Sequence, residues 1–159
     1  AVKESGIEFW RAGKTLKAMA LETDVHPGFM TDWQQPFTVM LTQADGLSVM
    51  HETVYEGRFG YIEALKSMNA QIQLYQRCLG QISCRFANRN AFHSAVIAGP
   101  TTLKGSEIHI PDLRGGFSYI IAGLVAQGVS KLYNFQIIRR GYEEMPEKLR
   151  ALKANIQEE

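Results

Sequence analysis

An internal repeat constrains the fold of this 159-residue sequence more than any other feature. In the first copy we expect a helix that begins near Asp32, followed by a strand over residues 47–54. In the second copy a helix that begins after Asp112 precedes a strand over residues 131–137. The copies therefore align Asp32 with Asp112, and they predict an α/β fold of repeated units.

The second half of each copy strengthens the repeat. A turn with Arg58 leads into one helix and a turn with Arg140 leads into the other, so the two arginines also align. The closing segments read LKSMNAQI at 65–72 and LRALKANI at 149–156. The apolar residues expected on one face of these helices are Trp33, Phe37, Leu41 and Ala44, then Tyr61, Leu65 and Met68, and in the second copy Met145, Leu149 and Leu152.

Residues 105–128 indicate where a functional site would lie. Ile108 and Ile110 alternate with polar residues as in a strand, and Pro111 ends it because proline lacks a backbone donor. A helix is predicted from residues at helical spacing and a closing glycine, namely Phe117, Ile121, Leu124, Val125 and Gly128. Asp112 and Arg114 therefore lie at a strand-to-helix junction, where α/β proteins usually place their chemistry.

The composition is that of a soluble globular protein. Apolar residues make up 45% and charged residues 21% of the sequence, and the net charge of +1 gives no sign of nucleic-acid binding. There is no apolar run long enough for a bilayer and no signal-peptide pattern, which predicts a cytoplasmic protein with no membrane partner. We expect a single domain over residues 1–159, with repeat units at roughly 16–86 and 104–159. The sequence starts in the middle of a pattern, as a piece of a longer chain would.

Two patterns before the first helix have simple structural interpretations. Residues 7–9 and 16–21 have strand character, and residues 11–15 are expected to join them as a hairpin turn. Gly-Lys-Thr at 13–15 is not a phosphate-binding loop, because that motif requires a glycine where Glu8 stands. Taken alone, Thr31 or Asp32 is expected to cap the helix that follows.

No metal site is expected from the spacing of possible ligands. His51 lies in the predicted strand 47–54, and no second histidine stands at a metal-ligand spacing from it. Residues 71–77 and 81–86 are predicted to form a hairpin, with Cys78 and Cys84 packed as small apolar groups on either side of its turn. Residues 87–102 are expected to form an extended loop or an added hairpin arm.

Charges near the C-terminus have ordinary interpretations. On their own, Arg139 and Arg140 are typical of a solvated surface pair, and Glu144 and Lys148 are spaced as an i,i+4 ion pair. Residues 155–157 are expected to begin a strand that has no evident partner in the sequence.

Six segments, in this order and spacing, resemble the UDP-N-acetylglucosamine 1-carboxyvinyltransferases, a family of enolpyruvyl transferases. The segments are HPGFMTDWQQPF at 26–37, LTQADG at 41–46, ETVYEGRF at 52–59, PDLR at 111–114, RGYE at 140–143 and KLRALKANI at 148–156. The resemblance implies an inside-out α/β barrel domain built from βαβαββ units, of which this chain supplies about two units of the C-terminal part. It also implies a partner, namely an N-terminal domain that these 159 residues do not contain.

The resemblance implies a reaction in which the 3′-hydroxyl of UDP-N-acetylglucosamine adds to phosphoenolpyruvate and phosphate leaves, without a cofactor or metal. Asp32 would be the general base, and Arg114 and Arg140 would hold phosphoenolpyruvate. The other site residues implied are Val54 and Tyr55 against the nucleotide sugar, Arg58 holding the closed form, and Asp112 orienting an arginine or a lysine. Because the family's catalytic lysine and loop residue lie in the other domain, the isolated chain is expected to be inactive.

Some residues depart from the family pattern. Tyr55 stands where relatives often carry Phe, Arg139 replaces an acid, Gly115 replaces an alanine, and residues 77–102 form a longer stretch. One alternative function is the related transferase that acts on shikimate 3-phosphate. Another is a relative that binds ligands without catalysis, which Arg139 and the long stretch would suit.

Overall fold

The computed structural model describes residues 2–4, 6–8, 10, 13, 15–82 and 84–158. Near the N-terminus, β1 (Val2–Lys3) and β2 (Gly6–Ile7) form a short antiparallel pair. Within the described residues β2 pairs with β1, so the expected hairpin between 7–9 and 16–21 is not formed. Phe9 of that predicted strand, and Arg11, Ala12 and Lys14 of its turn, lie outside the described residues.

The first repeat unit has the element order βαβαββ. Its elements are β3 (Ala20–Glu22), α1 (Thr31–Leu41), β4 (Gly46–His51), a 3-10 turn (Arg58–Tyr61), α2 (Ile62–Ser67), β5 (Gln71–Tyr75) and β6 (Ser94–Gly99). The strands form one sheet in the order β3-β4-β6-β5, in which β3 and β4 are parallel and β6 is antiparallel to both of its neighbours. Because β3 and β4 are parallel, the chain crosses over between them through α1.

The prediction for residues 81–102 was wrong. Residues 81–86 form no strand within the described part, and the predicted loop or arm contains β6, which pairs along its full length with β4 and β5. The β6 sequence SAVIAG is a short run of small and apolar residues without polar alternation, and all six residues are buried or partly buried. Residues 76–93 therefore form an irregular excursion, called here the β5–β6 excursion.

The second unit follows the same plan as far as its last helix. Its elements are β7 (Glu107–His109), α3 (Leu113–Val125), β8 (Lys131–Tyr133), α4 (Gln136–Arg139) and α5 (Met145–Ala151). Strands β7 and β8 are parallel, so α3 is the counterpart of α1 as a crossover helix. The predicted strand 131–137 ends at Tyr133, because Asn134 adopts a φ of 62° and the chain then turns into α4. Residues 155–157 form no strand in the described part of the chain.

The core lies between the crossover helices and the sheets, and α1 packs against α3. The predicted helices at Asp32 and after Asp112 are confirmed, but their apolar faces are partly different. In α3 the buried face carries Tyr119, Ile120 and Ala122, whereas Leu124 and Val125 are 44% exposed. Trp33 is half-exposed and Leu152 is exposed, so neither belongs to the core. Among the described residues, every helix is too short or too polar to cross a membrane.

Candidate active site

A buried carboxylate, Glu52, organises the loop that follows β4. Its oxygens accept hydrogen bonds from Thr23 Oγ1, Thr31 Oγ1 and Gln34 Nε2 at 2.9 Å each, and from the backbone N–H groups of Val54 and Tyr55 at 2.7 and 2.8 Å. Glu52 is 1% exposed, and these donors take the place of water around its negative charge. The carboxylate therefore fixes residues 52–55 against the start of α1. The sequence prediction did not include Glu52 among the site residues.

Tyr61 fixes the orientation of one of these donors. Its hydroxyl lies 3.0 Å from Gln34 Oε1 and 2.8 Å from Thr38 Oγ1. Burial raises the pKa of Tyr61 well above its usual range, so the hydroxyl stays protonated and available as a donor. With Oε1 facing Tyr61, the amide nitrogen of Gln34 faces Glu52.

The predicted helix cap at Thr31 or Asp32 was wrong. The N-cap residue of α1 is Met30, and no side chain caps the helix there. Thr31 instead donates its hydroxyl to Glu52 and accepts a 2.9 Å hydrogen bond from Arg58 Nε. Asp32 is thereby left for other partners.

Two arginines form ion pairs with the same oxygen of Asp32. Arg58 Nη2 and Arg114 Nε each lie 3.2 Å from Asp32 Oδ1, and Asp32 Oδ2 makes no hydrogen bond to the described residues. The Arg58 side chain is buried, with its guanidinium 4.5 Å from the centre of the Tyr55 ring. Gly57, at a φ of 79°, allows the predicted turn that brings Arg58 to this position. The Asp32 carboxylate is half-exposed, so its free oxygen is accessible to a ligand.

Asp112 and Arg114 occupy the matching position at the start of α3. Asp112 is the N-cap residue, and its Oδ1 accepts a 2.8 Å hydrogen bond from the Gly115 N–H. In the described part of the chain the Asp112 carboxylate makes no ion pair, so the expected contact that orients an arginine is not present. Asp112 instead fixes the first turn of α3, which carries Arg114 toward Asp32.

Arg140 lies at the end of α4 and is exposed. Within the described residues its guanidinium makes no ion pair, and it lines an open cavity of about 480 Å³ with Tyr142, Glu143 and Glu147. The neighbouring Gly141 packs against Leu113, since a Cβ there would lie 2.6 Å from Leu113 Cδ2. Gly141, which follows Arg140, thus lies against Leu113, which precedes Arg114. Within the described residues Arg140 makes no ion pair with Asp32.

The other charges near the C-terminus differ from the expected pattern. Arg139 pairs with Glu158, and Arg150 pairs with the same carboxylate. Hydrogen bonds from Arg150 and Arg139 hold the pKa of Glu158 below its usual range. The expected pair of Lys148 with Glu144 was wrong, because Lys148 Nζ donates to the Glu143 carbonyl oxygen at 2.8 Å.

The structure also brings together possible metal ligands, against the expectation from sequence. His51, Cys78, Cys84 and His93 each place a ligand atom within 4.8 Å of the others. Sequence spacing did not reveal this cluster because β4 contributes His51, whereas the other three residues come from the β5–β6 excursion. Both cysteines are free thiols.

Two crossover helices thus meet at their N-termini around a half-exposed carboxylate with arginines on either side. Such a site suits an acidic ligand and has a carboxylate oxygen free to accept a proton. Fold and site together define a repeat-built α/β protein with a carboxylate–arginine cluster. The chain belongs to the EPSP synthase (3-phosphoshikimate 1-carboxyvinyltransferase) family, whose family model matches residues 2–149.

Curated relatives align with this sequence over nearly its whole length. It is 56% identical over 155 residues to the UDP-N-acetylglucosamine 1-carboxyvinyltransferase of Protochlamydia amoebophila (strain UWE25), covering 98% of this chain and 33% of that protein. The enzyme of the same name from Chlamydia abortus (strain DSM 27085 / S26/3) is 51% identical over 98% of this chain and 35% of its own length. The chain therefore spans about a third of the length of these relatives. The resemblance found in the sequence is confirmed.

Solved structures support the fold. The enolpyruvyl transferase NikO from Streptomyces tendae matches with a TM-score of 0.72 and 23% identity, over 91% of this chain and 30% of that one. EPSP synthase from Acinetobacter baumannii matches with a TM-score of 0.60 and 18% identity, over 90% of this chain and 29% of that one. At these identities the likeness concerns the fold alone.

Proposed function

We propose that the protein containing this chain transfers an enolpyruvyl group from phosphoenolpyruvate to the 3′-hydroxyl of UDP-N-acetylglucosamine. The observation that best supports this function is the Asp32 carboxylate. Its Oδ1 is paired with Arg58 and Arg114, while Oδ2 has no hydrogen bond to the described residues. The names of relatives at 51–56% identity give the nucleotide sugar as acceptor. Transfer to this acceptor would place the protein in cell-wall precursor synthesis in the cytoplasm.

Asp32 is the general base in this proposal. The 3′-hydroxyl oxygen bonds to C2 of phosphoenolpyruvate as its proton passes to the carboxylate, and C3 takes up a proton from a general acid. Inorganic phosphate then leaves C2 as C3 loses a proton, which restores the double bond. The arginine pair on Oδ1 fixes the carboxylate so that Oδ2 faces the acceptor.

Arg114 and Arg140 bind phosphoenolpyruvate in this proposal. Both guanidiniums are exposed, and Arg140 has no ion-pair partner in the described part of the chain. A phosphate or a carboxylate accepts two parallel hydrogen bonds from a guanidinium, which gives both attraction and orientation. Because Arg140 makes no ion pair in the described part of the chain and Arg114 pairs with Asp32, we propose that the bound substrate bridges the two arginines.

Val54 and Tyr55 contact the nucleotide sugar, and Arg58 holds the site closed. The backbone N–H groups of Val54 and Tyr55 are already bonded to Glu52, so their carbonyl oxygens and the exposed Tyr55 ring remain for the ligand. Arg58 connects Thr31, Asp32 and Tyr55. Asp112 acts through its cap on α3, which positions Arg114.

At the level of the whole protein we propose an inside-out barrel of βαβαββ units completed by a second domain. The βαβαββ order of the first unit and the βαβα order of the second support this. We retain one domain over residues 1–159 with its second unit at 104–159. The first unit, proposed as 16–86, extends to about residue 99 because β6 belongs to its sheet.

The test is phosphate release from phosphoenolpyruvate by the protein in its full natural length. We expect release with UDP-N-acetylglucosamine and not with shikimate 3-phosphate, and about a 10²–10⁴-fold slower reaction in Asp32→Asn. The matched control is Asp45→Asn, which changes an exposed aspartate paired with Lys17 and should leave the rate unchanged. Binding of the nucleotide sugar without turnover would indicate the non-catalytic relative, and release with shikimate 3-phosphate would overturn the acceptor. The 159-residue chain alone should be inactive.

A further inference from the structure

His51, Cys78, Cys84 and His93 form a cluster behind the loop that Glu52 fixes. One ligand atom of each residue lies within 4.8 Å of the other three, and the two histidines are fully buried. We propose that these four side chains bind a structural zinc ion. This site is separate from the Asp32 centre and does not rest on the reaction proposed above.

The imidazole of His51 is oriented for a metal. Its Nδ1 lies 3.0 Å from Glu22 Oε2, which fixes the ring and the tautomer that carries the proton on Nδ1. Its Nε2 is buried and has no hydrogen-bond partner in the part of the chain that the structure describes. A buried nitrogen without a partner is unfavourable unless something else occupies the site. A carboxylate–histidine–zinc arrangement would satisfy this atom.

The imidazole of His93 has the same arrangement. Its Nδ1 lies 2.8 Å from the carbonyl oxygen of Ala91, and its Nε2 lies 3.5 Å from Cys78 Sγ. Both histidines therefore use Nδ1 for an outer acceptor, while Nε2 of His93 contacts Cys78 and Nε2 of His51 stays buried without a partner in the described part of the chain. Metal-ligating histidines typically donate their second ring N–H in this manner.

The surrounding backbone holds the two cysteines in place. Cys84 Sγ accepts a 3.3 Å hydrogen bond from the Phe86 N–H, which is the kind of donor that stabilises a thiolate. Glu22 accepts from the N–H groups of Gln81 and Ile82 at 2.8 Å each. The carboxylate that orients His51 thus also anchors the segment between the cysteines.

Gly80 lets this segment approach closely. A Cβ at position 80 would lie 2.1 Å from Glu22 Oε2 and 2.2 Å from His51 Nδ1. The backbone at residues 80–82 therefore lies directly against the Glu22–His51 pair.

The donor set selects zinc. Two thiolates with two imidazoles suit a tetrahedral Zn²⁺ ion, and four protein ligands leave no open position for a substrate water. Zn–S and Zn–N bonds of about 2.3 and 2.0–2.1 Å put neighbouring ligand atoms about 3.3–3.8 Å apart, so small side-chain rotations complete the tetrahedron. Two thiolates neutralise the ion, and this allows the site to be buried.

The site joins the β5–β6 excursion to the loop that Glu52 fixes. His51 is the last residue of β4 and precedes Glu52, whose N–H donates to the His93 carbonyl oxygen at 2.8 Å. A zinc ion here would hold the end of β4 and both ends of the excursion together. It would therefore fix the backbone on which Val54 and Tyr55 are carried.

The experiment uses the protein in its full natural length, purified under reducing conditions with zinc present and then dialysed. We expect elemental analysis to find one zinc equivalent that Cys78→Ser, Cys84→Ser and His93→Gln each lose. The matched control is His26→Gln, which changes an exposed histidine and should keep the ion. Glu22→Gln, which changes the acceptor shared by His51 Nδ1 and the N–H groups of Gln81 and Ile82, should weaken zinc affinity about 10–100-fold.

Co²⁺ in place of zinc provides a readout that does not depend on the variants. We expect the visible bands of tetrahedral cobalt and a thiolate-to-cobalt charge-transfer band in the wild-type protein, even if a variant fails to fold. Three results would overturn the proposal: no metal uptake by the reduced wild-type protein, a disulfide between Cys78 and Cys84 in place of uptake, or a zinc equivalent that the Cys78→Ser and His93→Gln variants retain.

Discussion

Arg114 Nε lies 3.2 Å from Asp32 Oδ1, and this ion pair joins the start of α3 in the second repeat unit to the start of α1 in the first. Both residues are largely exposed, so the pair itself adds little to stability. Its importance is positional, because it brings a carboxylate and a guanidinium from the two units to one site.

The first prediction concerns Arg114. In the full-length protein, Arg114→Lys keeps the positive charge but loses the planar guanidinium that binds a carboxylate or phosphate with two hydrogen bonds. We expect kcat/KM for phosphoenolpyruvate to fall about a hundredfold in steady-state phosphate-release kinetics. Arg89→Lys is the control, since Arg89 is exposed and pairs with Glu56 away from Asp32. Equal kinetics for both variants would exclude Arg114 from substrate binding.

The second prediction concerns the buried carboxylate. Glu52→Gln replaces an acceptor-only group with an amide whose NH₂ faces donors, so several of the hydrogen bonds to Glu52 are lost. We expect the free energy of unfolding to fall by about 2–4 kcal/mol, measured by urea denaturation. The same exchange at exposed Glu56 should change it by less than about 0.5 kcal/mol. Matching unfolding midpoints for the two variants would contradict the role given to Glu52.

The sequence predicted the parts of the fold that depend on local signals. The helices at Asp32 and after Asp112, the strand before Pro111 and the turn at Gly57 were found where the pattern put them. Each is specified by apolar spacing or by the backbone limits of proline and glycine. Strand β6 was missed because its short run of small and apolar residues has no alternating pattern.

The site was predictable where resemblance supplied the register, and less so elsewhere. Asp32, Arg58 and Arg114, which the resemblance grouped, are joined by ion pairs, whereas Arg140 makes no ion pair in the described part of the chain. Glu52 was missed because its partners come from β3, α1 and its own loop, which only the folded chain brings together. His93 was missed as a partner of His51 for the same reason, since strand pairing between β4 and β6 joins them.

The third prediction concerns Asp112, and it separates the effect of its helix-capping oxygen from the effect of its charge. Asp112→Ala removes the acceptor for the Gly115 N–H and should lower the free energy of unfolding by about 1 kcal/mol. Asp112→Asn keeps a capping oxygen and should stay within a few tenths of the wild-type value in the same urea titration. If Asn is as destabilising as Ala, the charge of Asp112 matters more than its cap.

The last prediction compares two glycines of α3. A Cβ on Gly116 would lie 2.1 Å from Ile138 Cδ1 and 2.8 Å from Ile110 Cγ2. The backbone of α3 at Gly116 therefore packs directly against the side chains of Ile138 in α4 and Ile110 after β7. We expect Gly116→Ala to lower the free energy of unfolding by about 1–3 kcal/mol, because the core would have to move to admit a methyl group.

Gly123 is its matched control on the same helix. A Cβ there would meet Ser130 Cβ at 3.4 Å, which is an ordinary contact, and its backbone is helical. Gly123→Ala should therefore raise the free energy of unfolding by up to about 1 kcal/mol through helix propensity alone. The two variants should shift the urea midpoint in opposite directions, and a stabilising Gly116→Ala would show that α3 and α4 are not packed as closely as Gly116 and Ile138 indicate.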